Sequence, residues 1–379
     1  MNYINRNRNN NSPSSVKNIN HNCRMWGAVS NDFEDSLIIK NLVTYPNSLK
    51  NLSQWANTDG WGIGYYPAFG DSLIIERSKL QAFYDPVFDS TVSGIDISVP
   101  KIILAHIRNC SSGCCCHNCE TITNPHPFWR YKNGRYWSFA HNGHLDKAVL
   151  LGLIGEDYLT RNPPTGSGIP ECDPSDTSLI VDSELYFLFL LMNIEANNWN
   201  VTDGIIEALS ELIVINPHAY MNFILSDGEN LWGFCAGFSL YYIDDSFGGY
   251  RAVASVYPSS LQGNWIRLND YELVFFNADD SLNLLDIRFF LPPDFYIAGD
   301  SNGDLKFSEL DITYSVNYLK GIGPAPFDTV YCSPYGMLMA AADANGSCAF
   351  NGLDVIFSVC YFRGIGRYPT PCPECPPIN

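Results

Sequence analysis

The sequence predicts an α+β layered domain followed by a small, internally repeated helical module. Three observations carry this: β-rich apolar runs set between turn clusters over 23–286, two helical segments among them, and a duplicated pattern in 295–366.

The first 22 residues (MNYINRNRNNNSPSSVKNINHN) are polar and Asn-rich, so they are expected to be disordered or removed as a propeptide. They hold no apolar core of a secretory signal. From Cys23 onward, strands are expected at KIILAHIR (101–108), YWSFAHNG (136–143), NFILSDG (222–228), LWGFCAGFSLYYI (231–243), YRAVASVY (250–257) and ELVFFNA (272–278). Helices are expected at 182–195, whose acidic first turn suits a helix N-terminus, and at 201–214. A linker at 287–294 leads to the repeat at 295–366, and a Pro/Cys-rich tail at 367–379 ends the sequence.

Composition narrows function. With 22 basic against 40 acidic residues and a formal net charge of −18, the chain lacks the clustered Lys and Arg of a nucleic-acid binder. No stretch reaches the roughly 20 apolar residues of a spanning helix. Thirteen cysteines, clustered at Cys110–Cys119 and from Cys332 to Cys375, point to disulfides or metal and favour an extracellular or cell-surface location.

Several residues could do chemistry. Cys23 opens the apolar run CRMWG. DGWGIG (59–64) packs glycines around a Trp where backbone must approach closely. AHIR ends a strand on Arg108, a planar fork matched to a carboxylate. NPHPF brings His126, FAHNG brings Asn142 and Gly143, and DSE opens a helix on Asp182. Taken singly, Cys23 reads as a packed small side chain, Arg108 as a surface ion pair, Asp182 as a helix cap and His126 as a core histidine.

In this order, CRMWG, DGWGIG, AHIR, NPHPF, FAHNG and DSE resemble the class II glutamine amidotransferases, N-terminal-nucleophile (Ntn) hydrolases of the αββα sandwich fold, over roughly 23–283. The resemblance implies Cys23 as nucleophile with its own α-amino group as base. It implies Arg108 on the substrate α-carboxylate, Asp182 on its α-amino group, His126 lining the substrate site, and Asn142 with the Gly143 N–H on the oxyanion. No catalytic cofactor is implied; the substrate is glutamine or a γ-glutamyl amide. Two features depart from the family: the cysteine cluster between Arg108 and His126, and VASVYP (253–258) where an acidic residue of an SEP-like motif is expected. Ammonia passes either to water or to an accepting partner subunit. The alternatives are another amide hydrolase of this fold and an inactive binding module.

The repeat begins with Asp300-Ser-Asn-Gly-Asp, which returns 43 residues later as Asp343-Ala-Asn-Gly-Ser. Asp300, Asn302, Asp304, Ser308 and Asp311 stand at the first, third, fifth, ninth and twelfth positions of an EF-hand-like oxygen cage. Asp343, Asn345, Ser347, Asn351 and Asp354 repeat the set. This resembles a dockerin-like module, implying two calcium ions and a cohesin-like partner; the other reading is a calcium-free helical spacer. Leu305 and Cys348 replace the usual glycine at the sixth position.

Overall fold

The computed structural model describes residues 22–34, 36–68, 72–109, 126–165, 180–217, 219–245, 249–260, 263–277, 282–292, 295–327, 329–332 and 335–377. The expected propeptide, apart from Asn22, and the Cys110–Cys119 cluster lie outside the described residues.

The first half supplies strands β1 (Arg24–Ser30), β2 (Trp61–Pro67), β3 (Ile74–Ser78), β4 (Pro100–Ile107), β5 (Phe128–Lys132) and β6 (Arg135–His144). After two long helices come β7 (Tyr220–Ser226), β8 (Asn230–Phe234), β9 (Tyr241–Asp245) and β10 (Tyr250–Ala254). Then follow β11 (Ile266–Arg267), β12 (Glu272–Asn277) and β13 (Asn283–Asp286). They form two antiparallel sheets, ordered β11-β9-β10-β1-β4-β2-β3 and β13-β12-β8-β7-β6-β5.

The sheets pack face to face through Met25, Val29, Leu104, Ile224, Leu231, Val253 and Val274. On the outer face of the first sheet, Trp26, Ala28, Trp61 and Ile103 meet Leu37, Leu42 and the helix Pro86–Ser98. On the outer face of the second, Phe139, Phe223 and Phe234 meet the helices Lys147–Ile154, Asp182–Ala196 and Val201–Ile215. The result is the four-layer αββα arrangement the resemblance implied.

This layering explains why the strand runs are so apolar. β1 lies between β10 and β4 with both faces covered, so its side chains alternate between two cores instead of between core and water. The helix Asp182–Ala196 is likewise buried from Ser183 to Leu191, which is why it reads as continuously apolar.

The expected linker is itself packed. Ile287–Phe290 forms a short 3-10 turn whose Ile287 is buried in the outer core of the second sheet, and Phe295, Ile297 and Leu305 join that core. The C-terminal module therefore sits against the outer layer of the second sheet, with Lys306 paired to Asp270 and Arg288 donating to the Gly303 carbonyl. Its two helices, Glu309–Leu319 and Gly352–Phe362, each follow one of the repeated loops, and a hairpin of Val330–Cys332 with Gly336–Leu338 lies between. Disulfides Cys332–Cys375 and Cys348–Cys372 fasten the tail to the module.

Candidate active site

The site forms where β1 begins and β4 and β2 meet it. In the antiparallel register, Arg24 faces Ile107 and Trp61 faces Ile107 from the other side, so Cys23, Arg108 and Gly60 fall in one row. The Arg108 N–H donates to the Gly60 carbonyl (2.9 Å) and the Asp59 N–H to the Arg108 carbonyl (3.2 Å), which ties DGWGIG to AHIR. The Asn109 N–H donates to Cys23 Sγ at 3.3 Å.

Burial pushes the Cys23 thiol up. The Asn109 N–H, then the guanidinium charges of Arg108 and Arg24, pull it back in part, while the Asp182 carboxylate opposes them. Arg108, just past the end of β4, and Asp182, at the start of a helix over the second sheet, thus lie close enough to act on the nucleophile candidate.

Asp182 starts the helix Asp182–Ala196, where a carboxylate is favoured by the helix dipole. Burial works against its ionisation, but a hydrogen bond from His144, the field of His141 and the Leu145 N–H (2.9 Å) outweigh it and hold the carboxyl below its usual range. In return, the hydrogen bond to Asp182 raises His144. A carboxylate offers about four lone-pair sites, so these contacts orient Asp182 without saturating it.

Asn142 and Gly143 lie in the last residues of β6, paired with Asn222 and Met221 of β7, and Asn142 is buried. A Cβ on Gly143 would lie 1.9 Å from the Tyr220 carbonyl oxygen and 2.4 Å from His141 Nε2, so no side chain fits there. The same holds at Gly62, where a Cβ would meet the His126 carbonyl oxygen at 2.1 Å. The glycines of DGWGIG therefore allow close backbone approach, as their spacing predicted.

His126 is buried and its ring lies 4.2 Å from that of His106. His141 joins them, bonded to Ser183 Oγ (2.9 Å) and the Tyr220 carbonyl (3.2 Å). Burial pushes all three below 6.5, His106 to about 3, so all are neutral near neutral pH. Neutral histidines thus pack near Arg108 without adding charge to the site.

Sequence reasoning passed over Asn57, Arg24, Asn109 and Ser255. Ser255 Oγ accepts from the Met25 N–H (3.1 Å), and its own N–H donates to the Met25 carbonyl (3.0 Å). The segment without the expected acidic residue thus clamps the start of β1. Asn57 Nδ2 and Arg24 Nη1 both donate to the Asn22 carbonyl, at 2.6 and 2.8 Å. Asn57 has a φ of 58°, a left-handed turn that Asn tolerates, and Asn before Asp-Gly was the available signal.

In the repeat, Asp300 and Asp343 are buried and accept backbone N–H groups of their own loops, including those of Leu305 and Cys348 at 2.7 Å. Leu305 and Cys348 both have a φ of 61°, so the sixth position keeps the left-handed turn without glycine. Asp311 and Asp354 accept from Ser308 and Asn351 in paired capping boxes. Burial pushes Asp354 up to about 6, with Asp343 adding to the effect, and raises Asp311 likewise.

Comparison with known proteins matches residues 47–251 to the class-II glutamine amidotransferases. An uncharacterized protein of Methanocaldococcus jannaschii is 33% identical over 191 residues, 50% of this chain and 45% of that protein. A Haemophilus influenzae protein bearing a provisional glutamine amidotransferase name is 26% identical over 252 residues, 60% of this chain and 76% of that one. Glutamine phosphoribosylpyrophosphate amidotransferase from B. subtilis aligns at 16% identity with a TM-score of 0.46, covering 70% of this chain and 49% of its own. The chain thus spans about half the length of the first and third of these proteins. The matched segment takes in more than half of the 379 residues, and the chain belongs to the class-II glutamine amidotransferases.

Proposed function

We propose that the protein hydrolyses the side-chain amide of glutamine through a thioester on Cys23 and releases ammonia. The observation that supports this most is the row formed by Cys23, Arg108 and Gly60, with Asp182 acting on the same thiol from the second sheet's side. A thiol with an ordinary pKa of about 8.5 needs a base at neutral pH, and a free α-amine at about 7.7–8.0 is suited to take its proton.

In this reading the α-amine of Cys23 accepts the thiol proton and Sγ attacks the amide carbon. The Asn142 amide and the Gly143 N–H stabilise the oxyanion, and ammonia leaves with the transferred proton. Arg108 holds the α-carboxylate, Asp182 the α-ammonium, and His126 forms part of the wall. Water then cleaves the thioester. The α-amine is a base only after the Asn22–Cys23 bond is cut, because an amide nitrogen has no basic lone pair. Ammonia release from glutamine by protein beginning at Cys23 tests this; no release, with turnover of γ-glutamyl peptides instead, would move the substrate assignment to those peptides.

The C-terminal module is assigned as a dockerin-like pair of calcium loops. Its support is the twofold recurrence of buried carboxylates at the first and twelfth positions with a left-handed sixth residue. A buried carboxyl raised by its burial and by the neighbouring Asp343, as Asp354 is, fits a site for a divalent cation, which would offset the cost of its charge. Asp300, Asn302, Asp304 and Asp311 would hold one ion and Asp343, Asn345, Ser347 and Asp354 the other, with Ser308 and Asn351 at the ninth positions. A cohesin-like partner follows from that assignment.

A further inference from the structure

The two repeated loops differ in how their sixth residues are held. Leu305 and Cys348 both take a φ of 61°, a left-handed backbone that favours glycine. In the first loop packing secures it, since Leu305 is buried in the outer core of the second sheet. In the second a covalent bond does, because Cys348 is joined to Cys372 of the tail.

That bond lies beside the first-position carboxylate. An Asp343 carboxylate oxygen, Cys348 Sγ and Cys372 Sγ are all within 4.8 Å of one another, and the three residues are buried. The Cys348 N–H donates to Asp343 Oδ2 at 2.7 Å and the Ser347 N–H to Oδ1 at 2.9 Å, so the backbone at and before the sixth residue sets the direction of both oxygens. The tail closes over the same stretch. The Thr370 N–H donates to the Ala344 carbonyl (3.2 Å), and a Cβ on Gly346 would meet the Thr370 and Pro371 carbonyl oxygens at 3.0 Å.

We infer that the Cys348–Cys372 disulfide is a redox latch on the second loop: closed, it holds Cys348 left-handed and so aims Asp343 at a divalent cation, and opened, it weakens binding at that loop alone. This rests on the reading above that the repeated loops take up calcium. Opening requires a dithiol reductant. One thiolate of the dithiol attacks Cys348 Sγ, which belongs to the less buried of the two residues; the S–S bond breaks, and its electron pair leaves on Cys372 Sγ, which takes up a proton. The second thiolate attacks the reductant's own sulfur in the mixed disulfide, and Cys348 departs as a thiol. The dithiol ends as a disulfide, having given two electrons and two protons. Freed of the bond, Cys348 returns to the negative φ that L-residues favour, and its N–H turns away from Asp343. In a reducing compartment the module then binds calcium tightly only at the first loop; in an oxidising one both loops bind.

The test is calcium titration calorimetry on the full chain after chelation and dialysis, with folding checked by circular dichroism. Asp343→Ala identifies the second loop's part of the isotherm. Cys348→Ser with Cys372→Ser should weaken that part on the order of tenfold, since site rigidity tunes such loops, and leave the first loop unchanged. Cys348→Gly with Cys372→Ser should recover the parent's affinity, because glycine takes the left-handed turn without the bond. In a chain carrying Cys332→Ser and Cys375→Ser, Cys348–Cys372 is the one disulfide left among the described residues. There, dithiothreitol should weaken the same part and reoxidation restore it. Parent-like binding in the folded serine pair, or weak binding that glycine does not recover, overturns the latch and leaves calcium at the second loop standing. An isotherm that Asp343→Ala does not change overturns the calcium reading of that loop, and the latch with it. If the serine pair does not fold, the dithiothreitol titration decides, and an unchanged affinity there overturns the proposal.

Discussion

In the proposed mechanism Cys23 supplies the atom that forms the bond, and it contributes little packing volume, since the residue is only half-buried. Cys23→Ala should therefore abolish ammonia release and leave the thermal transition near that of the parent, read by an ammonia assay beside calorimetry. Arg108→Lys should raise KM for glutamine on the order of tenfold, because a point charge cannot grip a carboxylate bidentately and charged hydrogen bonds contribute about 1.5–3 kcal/mol each. An unchanged KM would return Arg108 to an ion-pair role. Gly143→Ala must displace backbone, since its Cβ would collide with the Tyr220 carbonyl at 1.9 Å. We expect kcat to fall about 10²-fold, the scale of a misplacement near 1 Å.

Among the elements, the strands were legible because two-sided burial demands uninterrupted apolar runs: KIILAHIR and YWSFAHNG became β4 and β6 almost residue for residue. The run 231–243 was read as one strand but divides into β8 and β9 around Cys235-Ala-Gly-Phe, where Asn222 accepts from the Ala236 N–H and turns the chain. The helix Pro86–Ser98 was not anticipated, because its Ser, Thr, Val and Gly content is poor in helix formers. Its signals were local instead: Asp85 caps the Val87 N–H and Pro86 takes the first turn. Within the site, motif residues could be read; for Asn57 the sequence signalled the left-handed turn but not the partner, because its acceptor is a backbone carbonyl 35 residues away and leaves no trace in spacing.

Three buried histidines set a pH dependence. His106, His126 and His141 are held below 6.5 by burial, so the folded state binds fewer protons than the unfolded chain as pH falls. Their contribution is fully present above about 6.5 and is lost progressively below it, toward about 3 for His106. Denaturant titrations should show stability declining from pH 6.5 downward, with a shallower decline in His106→Gln. An identical slope in that variant would remove His106 from the account.

At the scale of the whole molecule, the repeat is docked on the second sheet's outer layer through Leu305, Lys306 and Arg288, and its tail is stapled by two disulfides. The duplication was plain in the sequence, since a 43-residue offset recurs in loop and helix alike. Its packing against the second sheet's outer layer was not, because the expected linker gave no sign that Ile287 and Phe295 would be buried there. If the loops hold calcium, the ion stabilises the folded module by mass action, about 2.7 kcal/mol at a hundredfold excess over Kd. Calorimetry should show a transition that calcium raises and chelator lowers, with Asp311→Ala blunting the shift. A transition indifferent to both favours the spacer reading.

All three scales meet at the start of β1, where sheet register and loop hydrogen bonds converge on Cys23. Peptide mass spectrometry of active protein quenched during glutamine turnover tests this most directly. The account predicts a γ-glutamyl adduct on the sulfur of a peptide whose first residue is Cys23. Ammonia release at full rate from a chain still beginning at Met1, or an adduct on any other residue, would contradict it.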